Sequence, residues 1–280
     1  MAPAHAWRSC HVSRVTCHSR AFTLIELLVV ISILGILAAL TVPALKNFGK
    51  SDVNISASRQ LLDGVARARQ LAISQRTTVY MVFVPTNFWN SSSPTWFTSL
   101  TPAQQIAATN LCGEQLSGYN FVAYGAMGDQ PGQHAWHYLA PWQTLPDGSF
   151  VALQKFVGTN TIVDPITGAS YPIGPFRYTN NIPFPTETAA SGVLLPYLAF
   201  NYLGQLTTEQ LSPVPLTQDE YIPLAHGSVL PAIDLNTKAL QFGSPDVSET
   251  PPGNSTNAYN IVHIDWLTGR AVLEYHKMGP

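Results

Sequence analysis

Charge is scarce in this 280-residue chain, at 11% Asp, Glu, Lys and Arg, and the scarcity is uneven. From residue 22 to residue 45 there is no Lys, Arg, Asp or His. A helix over that stretch rises roughly 36 Å, enough to cross a bilayer. Cysteine is equally sparse. Cys10 and Cys17 precede the apolar run and Cys112 alone follows it, so whatever folds beyond the run has no internal disulfide and is held by its own core. About 200 residues lie there, long enough to bury one. Catalytic and metal patterns are missing too. There is no Gly-rich phosphate loop and no Gly-x-Ser-x-Gly. Asp164-Pro165-Ile166-Thr167-Gly168 reads as a turn, and Asp219-Glu220 and Asp246 to Glu249 lack the oxygen-ligand spacing of an EF-hand loop. His134-x-x-His137 would aim at one metal only on a helix, and Pro131, Gly132 and Pro141 argue against a helix there. The expectation is a chain that is not an enzyme and holds no cofactor or metal.

What the apolar run does contain is one carboxylate. Glu26 stands in Phe22-Thr23-Leu24-Ile25-Glu26-Leu27-Leu28-Val29-Val30-Ile31, and an acidic side chain inside a membrane helix costs about 2.5 to 3.5 kcal/mol. Such a group is tolerable when a cation pairs with it. One turn from the start of the run, it could instead reach back to the headgroup layer.

Arg20-Ala21-Phe22-Thr23-Leu24-Ile25-Glu26 resembles the processing site of type IV prepilins and type II secretion pseudopilins. The resemblance implies cleavage by the prepilin peptidase between Ala21 and Phe22 and N-methylation of Phe22. It implies assembly through Thr23, Glu26 and Pro43, with Glu26 pairing with the N-terminal amine of a neighbouring subunit. Pro43, with no N–H and a ring that clashes with the preceding turn, is expected to kink or locally melt the helix. The family has Gly before the cut where this chain has Ala21. Cleavage would remove Cys10 and Cys17 with the leader, which initiation at Val12 or Val15 would shorten. The implied partners are the prepilin peptidase, other pseudopilins or pilins, an inner-membrane assembly platform and the lipid bilayer. The implied location is the inner membrane, single-pass, with the N-terminus cytoplasmic, the head periplasmic and a filament after assembly.

A secretory signal peptide is a rival for the same segment, since Arg8, Arg14 and Arg20 precede it. The run is longer than the usual 7 to 15 residues, holds a charge, and is followed by no Ala-x-Ala site. A plain signal anchor stays open.

Charge divides the rest of the chain. In 46–76, Lys46, Lys50, Arg59, Arg67, Arg69 and Arg76 face Asp52 and Asp63, whereas 77–280 holds 5 Lys and Arg against 13 Asp and Glu. A basic neck under an acidic head fits anionic lipid, a neighbouring acidic head, or an ordinary solvated helix face. It argues against nucleic acid as the head's main ligand.

Beyond Pro43 a break is expected at Gly49-Lys50-Ser51-Asp52, after which Leu61, Val65, Ala68 and Ala72 form one apolar helix stripe, widened by Leu62 and Leu71. Gly64 on this helix calls for close approach to a sheet. Residues 77–84, rich in β-branched and aromatic side chains, predict the first strand. Ala66 to Ala72, the Arg76-Thr77-Thr78-Val79 junction, Phe200 to Gln205 and Ile261 to Tyr275 resemble the GspH/FimT class of minor pseudopilins. The last of these reads as a hairpin with a two-residue loop, Thr268-Gly269, pairing Ile264 with Leu273 and placing His263 opposite Glu274. Residues 86–190 read as an insertion with a hairpin turn at Pro146-Asp147-Gly148. Trp89, Trp96, Trp136 and Trp142 serve there as core of a loop-rich subdomain or as an exposed binding platform. The expected fold is α+β and pilin-like, a long N-terminal helix packed on an antiparallel β head. Its expected parts are a leader at 1–21, a transmembrane or filament-core helix at 22–45, a stem helix at 46–76 and a head at 77–280. The readings that follow are a minor pseudopilin of a type II secretion system, a minor type IV pilin of the DNA-uptake kind, or a signal-anchored envelope protein binding carbohydrate.

Overall fold

One long helix, several short ones and a set of antiparallel sheets make up the fold in a computed structural model that describes residues 23–86, 88, 94–125, 129, 134–164, 166–208, 214–241, 243–257 and 259–275, with the side chains of 40–54, 94 and 95 outside the described set. The chain divides into two units, 1–49 and 50–280. Helix α1, Leu24–Gln75, contributes to both. The break expected at Gly49-Lys50-Ser51-Asp52 is absent, and the helix also continues through Pro43. A proline costs one backbone bond and about 3 kcal/mol, and Ser and Asp cost only tenths, so neither obliges the chain to leave helical geometry.

In the first unit the described side chains run from Thr23 to Ala39, and all are exposed. Leu24, Ile25, Leu27, Leu28, Val29, Val30, Ile31, Ile33, Leu34, Ile36 and Leu37 are 47–83% exposed. Apolar on every face, this is a helix built to be covered by something other than its own chain.

In the second unit the stem seats on a sheet. Ala57, Leu61, Val65, Ala68 and Ala72 are fully buried, and Leu62 and Leu71 flank them. The alternation along β1, Val79–Phe83, explains why every residue in it is buried. Val79, Met81 and Phe83 enter the core shared with the stem, while Tyr80 and Val82 enter a second core on the opposite face. A Cβ on Gly64 would meet Met81 Cε at 3.2 Å and Tyr119 Cε2 at 3.3 Å, the close approach the sequence called for.

The first sheet adds β2 (Gly118–Tyr124), β3 (Trp136–Tyr138), β4 (Gln143–Thr144), β8 (Arg177–Thr179), β9 (Leu195–Phe200) and β10 (Leu206–Thr207). Its order is β10-β9-β1-β2-β3, with β4 on β2 and β8 on β9. The second has order β12-β11-β13-β14, from Asp246–Glu249, Glu220–Leu230, Asn260–Ile264 and Ala271–Tyr275, with β5 (Ser149–Val151) on β11. The strands β6 (Asn160–Val163) and β7 (Ser170–Ile173) pair only with each other. Phe150, Ile222, Leu224, Val262 and Ile264 of the second sheet join Leu61, Met81, Phe121 and Phe200 in the stem's core.

Two expected hairpins differ. Pro146-Asp147-Gly148 does turn, with Ser149 N donating to Pro146 O at 3.0 Å, but β4 joins the first sheet and β5 the second. The turn therefore carries the chain between sheets. The C-terminal hairpin pairs Ile264 with Ala271 and Val262 with Leu273, and places His263 opposite Val272, a slip of two from the expected register. Asp265 causes it: its Oδ1 accepts Thr268 N at 2.6 Å and Thr268 Oγ1 at 2.7 Å, which lengthens the loop. A slip of two keeps every side chain on its face, so the buried set survives the error.

The insertion builds the second core. Phe88, Leu100, Ala108, Leu111, Cys112, Ile182 and Phe184 are buried against Tyr80, Val82 and Val122, with Ala108 and Leu111 supplied by a helix, Pro102–Leu111. Trp96, Trp136 and Trp142 pack on this core rather than forming a platform. Trp142 Nε1 donates to Pro185 O at 3.0 Å while its ring meets Phe184 edge-on at 5.7 Å. Trp89 lies outside the described residues.

Candidate assembly site

The start of α1 carries a reciprocal cap. Thr23 is non-helical and Leu24 is the first helical residue, so Thr23 is the N-cap and Glu26 the third helical position. Glu26 N donates to Thr23 Oγ1 at 3.3 Å, and Glu26 Oε2 accepts Thr23 N at 3.2 Å and Thr23 Oγ1 at 3.0 Å. Leu27 N closes the first turn onto Thr23 O at 3.2 Å. Two amides that a helix start would leave without partners are thus satisfied. The carboxylate is fixed at the positive end of the helix dipole, where a negative charge is favoured. Oε1 accepts nothing among the described residues, so one acceptor stays available. The signal for this cap, Thr-x-x-Glu ahead of an apolar run, was in the sequence, and reading Glu26 solely as a buried charge missed it.

Ala21 and Phe22 lie outside the described residues, as does the side chain of Pro43. Farther along the helix Ser32 Oγ donates to Leu28 O at 2.8 Å, and a Cβ on Gly35 would meet nothing within 4 Å. Among the described residues no helix is long and apolar enough to cross a membrane. The apolar run of the sequence, 22–45, extends past the described side chains at both ends.

Several other titratable groups serve the fold. His137 lies on β3, with Nε2 3.2 Å from Asp129 and Nδ1 3.5 Å from Glu187. His263 contacts Asp219 at 3.0 Å and Glu274 at 3.7 Å, and Tyr221 stacks on its ring at 4.6 Å. Among the described residues no group of His, Cys, Asp and Glu could hold a metal. Lys155 is fully buried. Its Nζ lies 2.6 Å from Glu220 and donates to Gly174 O at 2.9 Å. Burial lowers its pKa and Glu220 pulls the other way.

Sequence reading took Asp164 to Gly168 as a turn and Thr268-Gly269 as a hairpin loop, but it missed that one loop design is used three times. Asp164, Asp234 and Asp265 each start an Asp-x-x-Thr segment. In each, the Asp N–H donates to the residue five later, and the residue four later donates back to the Asp carbonyl. The Asp Oδ1 accepts the Thr amide at 2.6–2.9 Å, and the residue after Thr has positive φ: Gly168, Lys238 and Gly269. The third loop reaches the stem. Arg69 Nε donates to Thr268 O at 2.6 Å, and Leu206 N donates to Trp266 O at 3.0 Å. The two short segments near Phe200 and Ile261 therefore converge on the end of α1.

The family model described as the prokaryotic N-terminal methylation motif matches residues 17–42, a span that holds Ala21, Phe22, Thr23 and Glu26. The chain thus carries a type IV pilin-like N-terminal motif, the substrate motif of the prepilin peptidase, which belongs to structural subunits that assemble with other pilins. The α+β architecture, an N-terminal helix followed by antiparallel sheets, is consistent with a pilin-like fold. No curated protein and no solved structure matches the chain.

Proposed function

We propose that this chain is a minor pseudopilin of a type II secretion system, cut between Ala21 and Phe22, methylated at Phe22 and assembled through its N-terminal helix into a short filament. The observation that carries the reading is the methylation motif lying on a capped, all-round apolar helix that its own chain leaves uncovered. Before assembly the bilayer of the inner membrane covers that helix, with the head in the periplasm. After assembly by the inner-membrane platform, the helices of neighbouring subunits cover it. Burial is conserved between the two states, so extraction need not forfeit the roughly 1.5–3 kcal/mol that each large apolar side chain gains from leaving water. Gly35, open in the isolated chain, permits a second helix to approach closely.

Glu26 has two tasks in this scheme. Oε2 holds Thr23 and orders the helix start. Oε1 receives the Phe22 amine of the next subunit, a charge pair that is strong where water is excluded. The GspH-like class is supported by the stem sequence and by the meeting of the segments near Phe200 and Ile261 at the stem end. Glu26→Ala should insert into the membrane at wild-type level and enter the sheared filament fraction poorly. Normal incorporation would defeat the pairing.

A further inference from the structure

Resting on the filament reading, we propose that a recess between the stem helix and the edge of the first sheet receives an acidic side chain from the head of a second copy of this chain. The recess has a volume of about 600 Å³ and is lined by Arg59, Gln60, Asp63 and Arg67 of α1 and by Tyr119 and Gln143 of the sheet. Gly64 also lines it, where a Cβ would press on Met81 and Tyr119 at 3.2 and 3.3 Å.

Two of its donors, Gln60 and Arg67, are held, and neither guanidinium is neutralised. Gln60 Nε2 donates to Thr144 O at 2.8 Å and to Tyr119 OH at 3.3 Å, which ties the stem to the sheet. Arg67 lies over the Phe121 ring at 5.4 Å from its centroid, a contact that orients the guanidinium without cancelling its charge. Neither Arg59 nor Arg67 forms an ion pair among the described residues, and Asp63 is the only carboxylate in the recess. Two guanidiniums therefore accompany one acid in an open recess.

The head supplies the complementary charge. Residues 77–280 carry 13 acids against 5 bases, and of those bases Lys155 is buried against Glu220. Most acids are engaged: Asp234 and Asp265 by their own loops, Glu249 by Ser255, Asp219 by His263 and Trp266. Asp147 and Asp246 are exposed, and their side chains form no hydrogen bond or ion pair among the described residues. Both lie beside one end of β11, Asp147 next to the Gly148–Gly227 contact and Asp246 opposite Leu230. A recess on the stem and an acid on the head are different surfaces, so the contact is heterologous and propagates rather than closing into a dimer. A carboxylate seated between two guanidiniums also adds a second fixed point to the axial register that the Glu26 pair sets between neighbouring subunits.

The test places a photo-crosslinking residue at Gln143 of the full chain in its native membrane and another at Ile33 on the apolar helix. The Gln143 probe should capture a second copy. Arg59→Glu with Arg67→Glu should lower that capture by about tenfold or more, since like charges replace opposite ones, and adding Asp147→Lys with Asp246→Lys should restore it. Unchanged capture in the reversed stem, no rescue by the reversed head, or capture of lipid or another protein alone would each overturn the contact. A positive Ile33 capture beside a negative Gln143 capture rejects the recess and keeps the filament. Failure of both rejects both.

Discussion

At Glu26 a single substitution to Ala removes two things, the cap and the charge. Glu26→Gln separates them, because Gln serves at the third position of a capping box and carries no charge. Loss of an N-terminal cap costs about 0.5–2 kcal/mol of helix stability. The Gln variant should keep the ordered helix start and still enter the filament as poorly as the Ala variant. Quantifying both variants in the sheared fraction checks this, and wild-type entry by Glu26→Gln would make the cap, not the charge pair, the function of the residue. Cys112 tests the second core. It is 1% exposed, and burial pushes its thiol up to about 12. At about pH 8 the native protein should resist a maleimide that labels the unfolded chain fully. Rapid native labelling would mean that the second core is open.

Loops decide most at the scale of elements. In the three Asp-x-x-Thr turns the left-handed position is Gly168, Lys238 or Gly269, with φ of 70°, 58° and 62°. A side chain costs roughly 1 kcal/mol or more there, so Lys238→Gly should raise stability by about 0.5–1 kcal/mol after the unfolded-state entropy of Gly is deducted. Gly269→Ala should cost more, about 2–4 kcal/mol, because its Cβ would come 2.1 Å from Gly204 O. Thermal melts of the two variants should move in opposite directions. The stem stripe and the first strand were legible because their apolar spacing is set by helix and sheet periods. The Leu61, Val65, Ala68 and Ala72 stripe is buried as its spacing requires. The C-terminal register was not legible, since it depends on a side chain, Asp265, bonding to backbone three residues on. The helical path through 49–52 was misread for a related reason. Local breakers such as Gly49, Ser51 and Asp52 lower helix propensity by about 1 kcal/mol or less each and do not outvote the turns on either side. The second core draws its buried residues from 80 to 199, and no period within the chain announces such long-range company.

For the whole molecule, the opposed faces of the first sheet explain why so long an insertion is folded rather than appended. One face takes the stem and the second sheet, and the other takes the aromatic residues of the insertion. The same burial sets the alkaline limit. Tyr119, Tyr138, Tyr178, Tyr221 and Tyr259 all have pKa values raised, chiefly by desolvation, as does Cys112. For a group whose folded value lies above its unfolded one, the stabilising contribution is complete below the unfolded pKa and is lost as pH rises past it. The loss starts near the ordinary values of 9.0 for the thiol and 10.0 for the phenols. Lys155 acts oppositely, its lowered pKa adding stability as pH climbs toward 10.5, but one lysine stands against five tyrosines and a cysteine. The melting temperature should therefore fall progressively above about pH 10. A flat or rising profile would show that these side chains are solvated in the native state.

The filament account depends on a cut that creates the Phe22 amine. Mass spectrometry of the protein recovered from its native membrane reads that terminus directly. The account predicts a mature chain beginning with N-methyl-Phe22. An intact Met1, or a terminus beyond Leu45, would contradict it, because Glu26 would then have no neighbouring amine to receive.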